Sequence, residues 1–150
     1  MELARLATEA DRPSCLRLLG LALSGAATLR GGPAVIGLAT PPALLERWQG
    51  QGGQSFVGEY AGIVVGVLGL ALPVPGNDRR AASLECAYVE EPARGVGVGS
   101  ALMQAALTWA HEHGCTEVDA LALPGDRNTK QRLEAAGFTA RLLTLSRRLD

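Results

Sequence analysis

Residues 84–123 read in one order that leaves little freedom: an apolar strand, a glycine-rich turn, a helix and a second apolar strand. Leu84 to Val89 is the first strand, Pro92 to Gly99 the turn, Ser100 to His113 the helix and Val118 to Leu123 the second strand. Two strands joined by one helix lie parallel, and the crossover is right-handed. Helical spacing puts Ala101, Leu102, Ala105, Trp109 and Ala110 on the inner side of the helix.

The flanking segments complete an α/β domain. Leu3 to Thr8 alternates weakly and reads as a first strand. Asp11 is a helix-cap candidate with Pro13 in the first turn, and Leu16, Leu19 and Leu23 then recur at helical spacing. Gly31-Gly32-Pro33 breaks the chain, Thr40 caps a second helix and Pro41 opens it. Leu44, Leu45 and Trp48 form that helix's apolar face. Ser55 to Tyr60 and Ile63 to Leu72 read as a hairpin turning at Ala61-Gly62, with its second strand covered on both faces. Pro73 to Arg80 is a polar loop that borders a candidate substrate site. Thr129 to Ala136 reads as a short helix closed by Gly137, and Leu142 to Leu149 as a last strand. The expected architecture is one domain over 1–150, a mixed sheet flanked by helices with a parallel β-α-β crossover in its C-terminal half.

Composition excludes several classes. The net charge of -1 advertises neither a nucleic-acid nor an anionic-membrane surface. Cys15, Cys86 and Cys115 are odd in number and match no metal or redox spacing, which fits free thiols in a reducing compartment. No metal is expected, because His111 and His113 have no nearby cysteine pair. The apolar run Leu16 to Leu29 resembles the core of a signal peptide. Glu2, Glu9 and Asp11 nevertheless outnumber Arg5 and Arg12 ahead of it, and it is too short to cross a bilayer. It reads as a buried helix in a cytoplasmic protein.

The chemistry concentrates at Arg94-Gly95-Val96-Gly97-Val98-Gly99-Ser100. Glycines there admit close approach by a ligand, and the first helical amides lack internal partners. With the helix dipole, they form a place for phosphate, to which Arg94 can add a full charge. The bare alternative is a tight strand-to-helix turn. No Gly-Lys-Ser/Thr follows, so this is not a Walker loop, and glycines at 95, 97 and 99 miss Gly-x-Gly-x-x-Gly.

The stretch resembles the GNAT superfamily of N-acetyltransferases, whose pyrophosphate motif Arg/Gln-x-x-Gly-x-Gly/Ala follows a strand ending in valine. Here Leu84-Glu85-Cys86-Ala87-Tyr88-Val89 precedes Arg94-x-x-Gly97-x-Gly99, with Leu102-Met103 after it. Glu134-Ala135-Ala136-Gly137-Phe138 resembles the family's late helix ending in Gly-Phe, and the element order fits across nearly the whole chain.

The resemblance implies acetyl-CoA as co-substrate, with its pyrophosphate on the amides of Val96, Gly97, Val98, Gly99 and Ser100 beside Arg94 and Gly95. It implies that the pantetheine pairs with backbone groups of Ala87 and Val89, and that the thioester lies where the strands splay. Asn128 stands near the position of a coenzyme-contacting asparagine, although the direct count reaches Asp126. The implied reaction is direct acetyl transfer to a primary amine of a small molecule or peptide. Members are often dimers, which leaves a homodimer open. The tyrosine that many members use as acid is replaced by Leu133. That departure also admits a non-catalytic acyl-CoA-binding regulatory or dimerisation module.

Glu85 is the leading candidate base. Strand alternation puts it on the face of Ala87 and Val89, where a carboxylate in an apolar strand can take a proton from an attacking ammonium. A structural carboxylate holding an arginine is its alternative. Glu59 is a second candidate, and Glu90 and Glu91 belong to the rim. Tyr88 is expected in a core face, Cys86 as an inert thiol, His111 and His113 as a helix end, and Arg147 and Arg148 as a solvated strand end.

Overall fold

A computed structural model describes residues 3–30, 32, 37 and 39–149. Its sheet holds five strands in the order β1-β2-β3-β4-β5. They are β1 Ala4–Leu6, β2 Gly53–Tyr60, β3 Ile63–Ala71, β4 Ala81–Val89 and β5 Glu117–Ala120. The first four pair antiparallel and β4 pairs parallel with β5. The described helices are α1 Arg12–Ala27, α2 Pro41–Arg47, α3 Val98–Glu112 and α4 Arg127–Ala135. The mixed sheet with a parallel crossover is therefore as expected.

Each sheet face has its own core. Phe56, Leu68, Leu70 and Val89 meet Val98, Leu102, Ala106 and Ala110 of α3, the crossover helix. On the opposite face Val57 and Val67 meet Cys15, Leu18 and Leu19 of α1, and Leu45 and Trp48 at α2. Gly69 makes room for this second layer, since a Cβ there would fall inside the Trp48 indole. The central strand β3 is covered on both sides, as its apolar run predicts. At the hairpin tip Ala61 and Gly62 both take positive φ, 52° and 78°, as a two-residue turn matching the strand twist requires.

The decisive irregularity is in β4. Gly69 pairs with Cys86, but Leu70 pairs with Leu84, so Glu85 is an extra residue facing no partner of its own. Such a bulge bends the strand and shifts its face alternation. β4 and β5 pair only from Ala81 with Glu117 to Leu84 with Ala120. The two strands part at the bulge.

Three sequence expectations change here. β5 ends at Ala120 rather than reaching Leu123, and Leu121 is 77% exposed, because β4 no longer offers it an edge. Leu142 to Leu149 is not a strand: these residues have no regular structure and their leucines lie open to solvent. Asp11 does not cap α1. Its carboxylate instead accepts from Thr8 N at 2.7 Å and from Arg5 Nη1 and Nη2 at 2.7 and 2.9 Å. Thr40 does cap α2, accepting from Ala43 N. The break expected at Gly31-Gly32-Pro33 lies, apart from Gly32, outside the described residues.

The Arg5 contact holds the Asp11 carboxyl down at about 2, against an ordinary value of 3.8. A carboxyl depressed by folding stabilises above its unfolded pKa and loses that effect as pH falls through the folded one. Arg5 is 35% exposed at its side chain, so solvent screening reduces the gain to about 1 kcal/mol. Asp11→Asn should therefore lower stability by about 1 kcal/mol at pH 7. In urea titrations the gap from the parent chain should close between pH 4 and pH 2, and a gap that stays constant to pH 2 contradicts the assignment.

Candidate active site

Beyond the bulge, β4 keeps a free edge. Glu90 N donates to Val65 O at 2.8 Å, and Val89 lies opposite Gly66. The alternation of an antiparallel ladder then turns the amide and carbonyl of Tyr88 toward β3 and those of Ala87 and Val89 away from it. Both point into the wedge where β5 has departed. A Glu91–Ala93 3-10 turn and the extended Arg94 follow. Gly95 and Gly97 then take φ of 87° and 93°, conformations a side chain would strain. Gly97 is the N-cap of α3, whose first backbone bond runs from Ala101 N to Gly97 O at 3.0 Å. Among the described residues, no amide from Val96 to Ser100 donates to a backbone carbonyl. These unpaired amides cluster at the N-terminal end of α3, a geometry suited to an anion, at the mouth of the wedge.

Two arginines stand near these amides. Arg94 folds back on its own strand: its Nε donates to Val89 O at 2.8 Å, and its guanidinium lies 5.5 Å from the Tyr88 ring centroid. It braces the exit of β4. Arg132 of α4 instead approaches Gly99, with Nη1 3.9 Å from where a Cβ would stand. Sequence reasoning missed Arg132, because nothing in the local pattern shows that α4 packs back over the loop. Asn128 is exposed in the first turn of α4, and the cap there is Asp126, which accepts from Thr129 N at 3.1 Å. Leu133 is buried and brings no proton donor.

Glu85 sits at the splay, but the bulge corrects its assigned face. Leu84 and Val89 face α3, whereas Glu85 reaches the α2 side. Its Oε1 accepts from Arg47 Nε at 2.6 Å and Trp48 Nε1 at 2.8 Å, and its Oε2 from Arg47 Nη2 at 2.8 Å. Bidentate pairing with Arg47 and the Trp48 hydrogen bond fix this carboxylate. On the same side, a cavity of about 270 Å³ is lined by Arg47, Pro73, Asn77, Arg79, Ser83 and Asp119. Arg79 there bridges Glu117 and Asp119, at 2.7 and 2.6 Å. The Pro73 to Arg80 loop does border a cavity.

The other candidates are committed elsewhere. Glu59 pairs with Arg5 at 2.6 Å. Glu90 pairs with Arg17 at 2.6 Å, which holds its carboxyl below the ordinary range. Tyr88 packs into the α1 and α2 core, as expected. The His113 ring stacks on Trp109 at 3.8 Å at the end of α3. No group of three or more potential metal ligands occurs among the described residues. No helix among them is long and apolar enough to cross a membrane.

A family model described as the Acetyltransferase (GNAT) family matches residues 31–138. The chain belongs to the GNAT family. Solved structures share this family's fold over nearly the full length. A tetramutant of the BH1408 protein from Bacillus halodurans is 17% identical, with 98% of this chain and 99% of that chain covered and a TM-score of 0.77. An aminoglycoside N-acetyltransferase, AAC(6')-Iy in complex with CoA, is 19% identical, with 97% and 99% covered and a TM-score of 0.65. A ribosomal-protein-alanine N-acetyltransferase from Brucella melitensis is 19% identical, with 97% and 99% covered and a TM-score of 0.70. Among curated proteins, none matches this chain.

The GNAT chain's thiols should be quiet. Burial pushes the Cys86 thiol up to about 12 and the Cys15 thiol up to about 11. The thiolate is the reactive form, so little of either exists at neutral pH. Iodoacetamide at pH 7.5 should leave Cys15 and Cys86 unmodified in the native protein and label both in guanidinium. Rapid native labelling at Cys86, read by peptide mass spectrometry, would contradict this burial.

Proposed function

We propose that the protein transfers an acetyl group from acetyl-CoA to a primary amine. The observation that carries this reading is the pairing of two backbone surfaces, the free amides at Val96 to Ser100 and the outward edge of Ala87 and Val89, on which Arg94 occupies only the Val89 carbonyl. They suit a ligand with a diphosphate at one end and a strand-like amide arm behind it. Acetyl-CoA, when bound, supplies the thioester carbonyl to which the acceptor amine adds directly. The chain's part is to orient both partners and keep them close, the main work of a proximity mechanism.

Named residues divide the work. Amides of Val96, Gly97, Val98, Gly99 and Ser100 hold the diphosphate, with Arg132 adding charge and Gly95 shaping the turn. Arg94 positions the strand exit through Val89 O. Asn128, near the same mouth, is the remaining coenzyme contact carried by the family resemblance. Glu85 stands where the strands part. With both oxygens engaged by Arg47 and Trp48, it takes the proton through a water held at Oε2 rather than by direct contact. The acceptor enters on the α2 face. Three arginines there, Arg47, Arg79 and Arg141, meet three carboxylates, Glu85, Glu117 and Asp119, so the face is polar with no net charge to select the acceptor.

Leu133 favours a second reading. A buried leucine where many members place a tyrosine suits an acyl-CoA-binding module without turnover. Thiol release with a panel of amines separates the two: release with any amine establishes catalysis, and tight coenzyme binding with none supports the module.

Acetyl-CoA should raise the melting temperature and NAD should not, because only a ligand of the folded state stabilises it. Gly97→Val should abolish the shift, since valine cannot take φ of 93° cheaply. Arg132→Ala should weaken coenzyme binding about tenfold, the loss of one charge-assisted contact. No shift with the parent chain, or equal affinity in both variants, would overturn the site.

Glu85→Gln should lower kcat at neutral pH by about tenfold or more and restore part of it at high pH, where the amine is already deprotonated. A parallel pH profile in parent and variant would remove Glu85 from proton transfer.

A further inference from the structure

A cavity of about 230 Å³ opens between the start of α1, the end of α2 and the first residues of β2. It shares no lining residue with the cavity beside Arg79. Trp48 stands between this cavity and the splay: it lines the cavity, and its Nε1 donates to Glu85 at 2.8 Å.

The wall holds a polar group that folding leaves unsatisfied. Ser55 is only 9% exposed. Its carbonyl accepts from Ala7 N and Gln54 Nε2, at 3.0 and 2.8 Å. Its hydroxyl has no partner among the described residues, and strand alternation turns it to the face of Val57, toward α1 and α2. No unpartnered side-chain polar atom is fully enclosed among those residues, so the hydroxyl stays open to the cavity it lines. A buried hydroxyl without a hydrogen bond is unfavourable, and a ligand that bonds it removes the penalty.

The mouth carries opposite charges. Glu9, in the 3-10 turn Glu9–Asp11, and Arg12, the first residue of α1, both line it. Among the described residues neither forms an ion pair, with the other or with a third residue. Arg12 is half-buried, and its fork of donors suits a carboxylate. Cys15, Leu45 and Trp48 add a buried apolar surface.

We infer that this cavity is a second binding site, for a free α-amino acid with a short apolar side chain. Arg12 takes the carboxylate, Glu9 takes the ammonium, and the Ser55 hydroxyl bonds a carboxylate oxygen. The side chain lies against Cys15, Leu45 and Trp48. Drug-sized ligands occupy about 300–1,000 Å³, so this volume of about 230 Å³ admits one small amino acid and excludes a nucleotide. Binding here does not depend on acetyl transfer.

Isothermal titration of the full chain with L-valine should show one site with a Kd below about 1 mM. Isobutyrate and isobutylamine, each lacking one of the two charged groups, should bind about tenfold more weakly. Arg12→Ala should weaken valine binding about tenfold and Ser55→Ala about fivefold, each with parent-like circular dichroism. Should Arg12→Ala fail to fold, Arg12→Gln keeps part of the stem's packing and gives the same readout. Crystals soaked in L-valine should hold it between Arg12 and Ser55. No binding to the parent chain, equal affinity in the variants, or valine seated only where β4 and β5 part would each defeat the inference.

Discussion

One unpaired residue governs the architecture. Because Glu85 has no partner on β3, β4 bends away from β5 after four paired positions. A strand beside a parallel neighbour normally spends its outward amides on that neighbour. Here Ala87 and Val89 keep their amides, and of their outward carbonyls only that of Val89 is met, by Arg94. The bulge is itself held from outside the sheet. Arg47 and Trp48 grip the Glu85 carboxylate, and Trp48 is seated only because Gly69 has no side chain. The shape of the cleft thus follows from packing on the face opposite α3.

The free amides and the wedge are continuous. The chain leaves β4 at Val89, turns through Glu91–Ala93 and enters α3 at Gly97. Arg94 fastens that turn to the strand end by donating to Val89 O, and Val98 anchors its other side in the core. A loop secured at both ends holds its free amides in place before any ligand arrives, so little ordering remains for binding to impose. Charge comes from a distant element: α4 follows β5, yet its Arg132 reaches Gly99.

Much of this is legible in the residues. The crossover, the Ala61-Gly62 hairpin, the Thr40 cap and the Gly-x-Gly turn all follow from short-range rules of spacing and backbone freedom. Members of one family share those rules, so the GNAT resemblance rests on the same residues. The errors arise where a partner is needed. Val118 to Leu123 and Leu142 to Leu149 carry strand-like patterns, but a pattern forms a strand only where an edge is present to receive it. One edge is withdrawn by the bulge. The other is not supplied within the described chain.

The sequence by itself determined the order of elements, the two apolar faces of the sheet and the glycines that open the start of α3, because each depends on neighbours a few residues away. Tertiary structure decided the direction of the charged side chains. Arg94 folded back on Val89, Arg132 came to the loop, and Glu85 changed face. A single extra residue in a pleated strand reverses the facing of the residues after it, and an arginine goes to the acceptor that folding brings within reach. The Glu85 grip and the approach of Arg132 are set by residues tens of positions apart, whereas Arg94 turns to an acceptor only five residues back that local spacing does not single out.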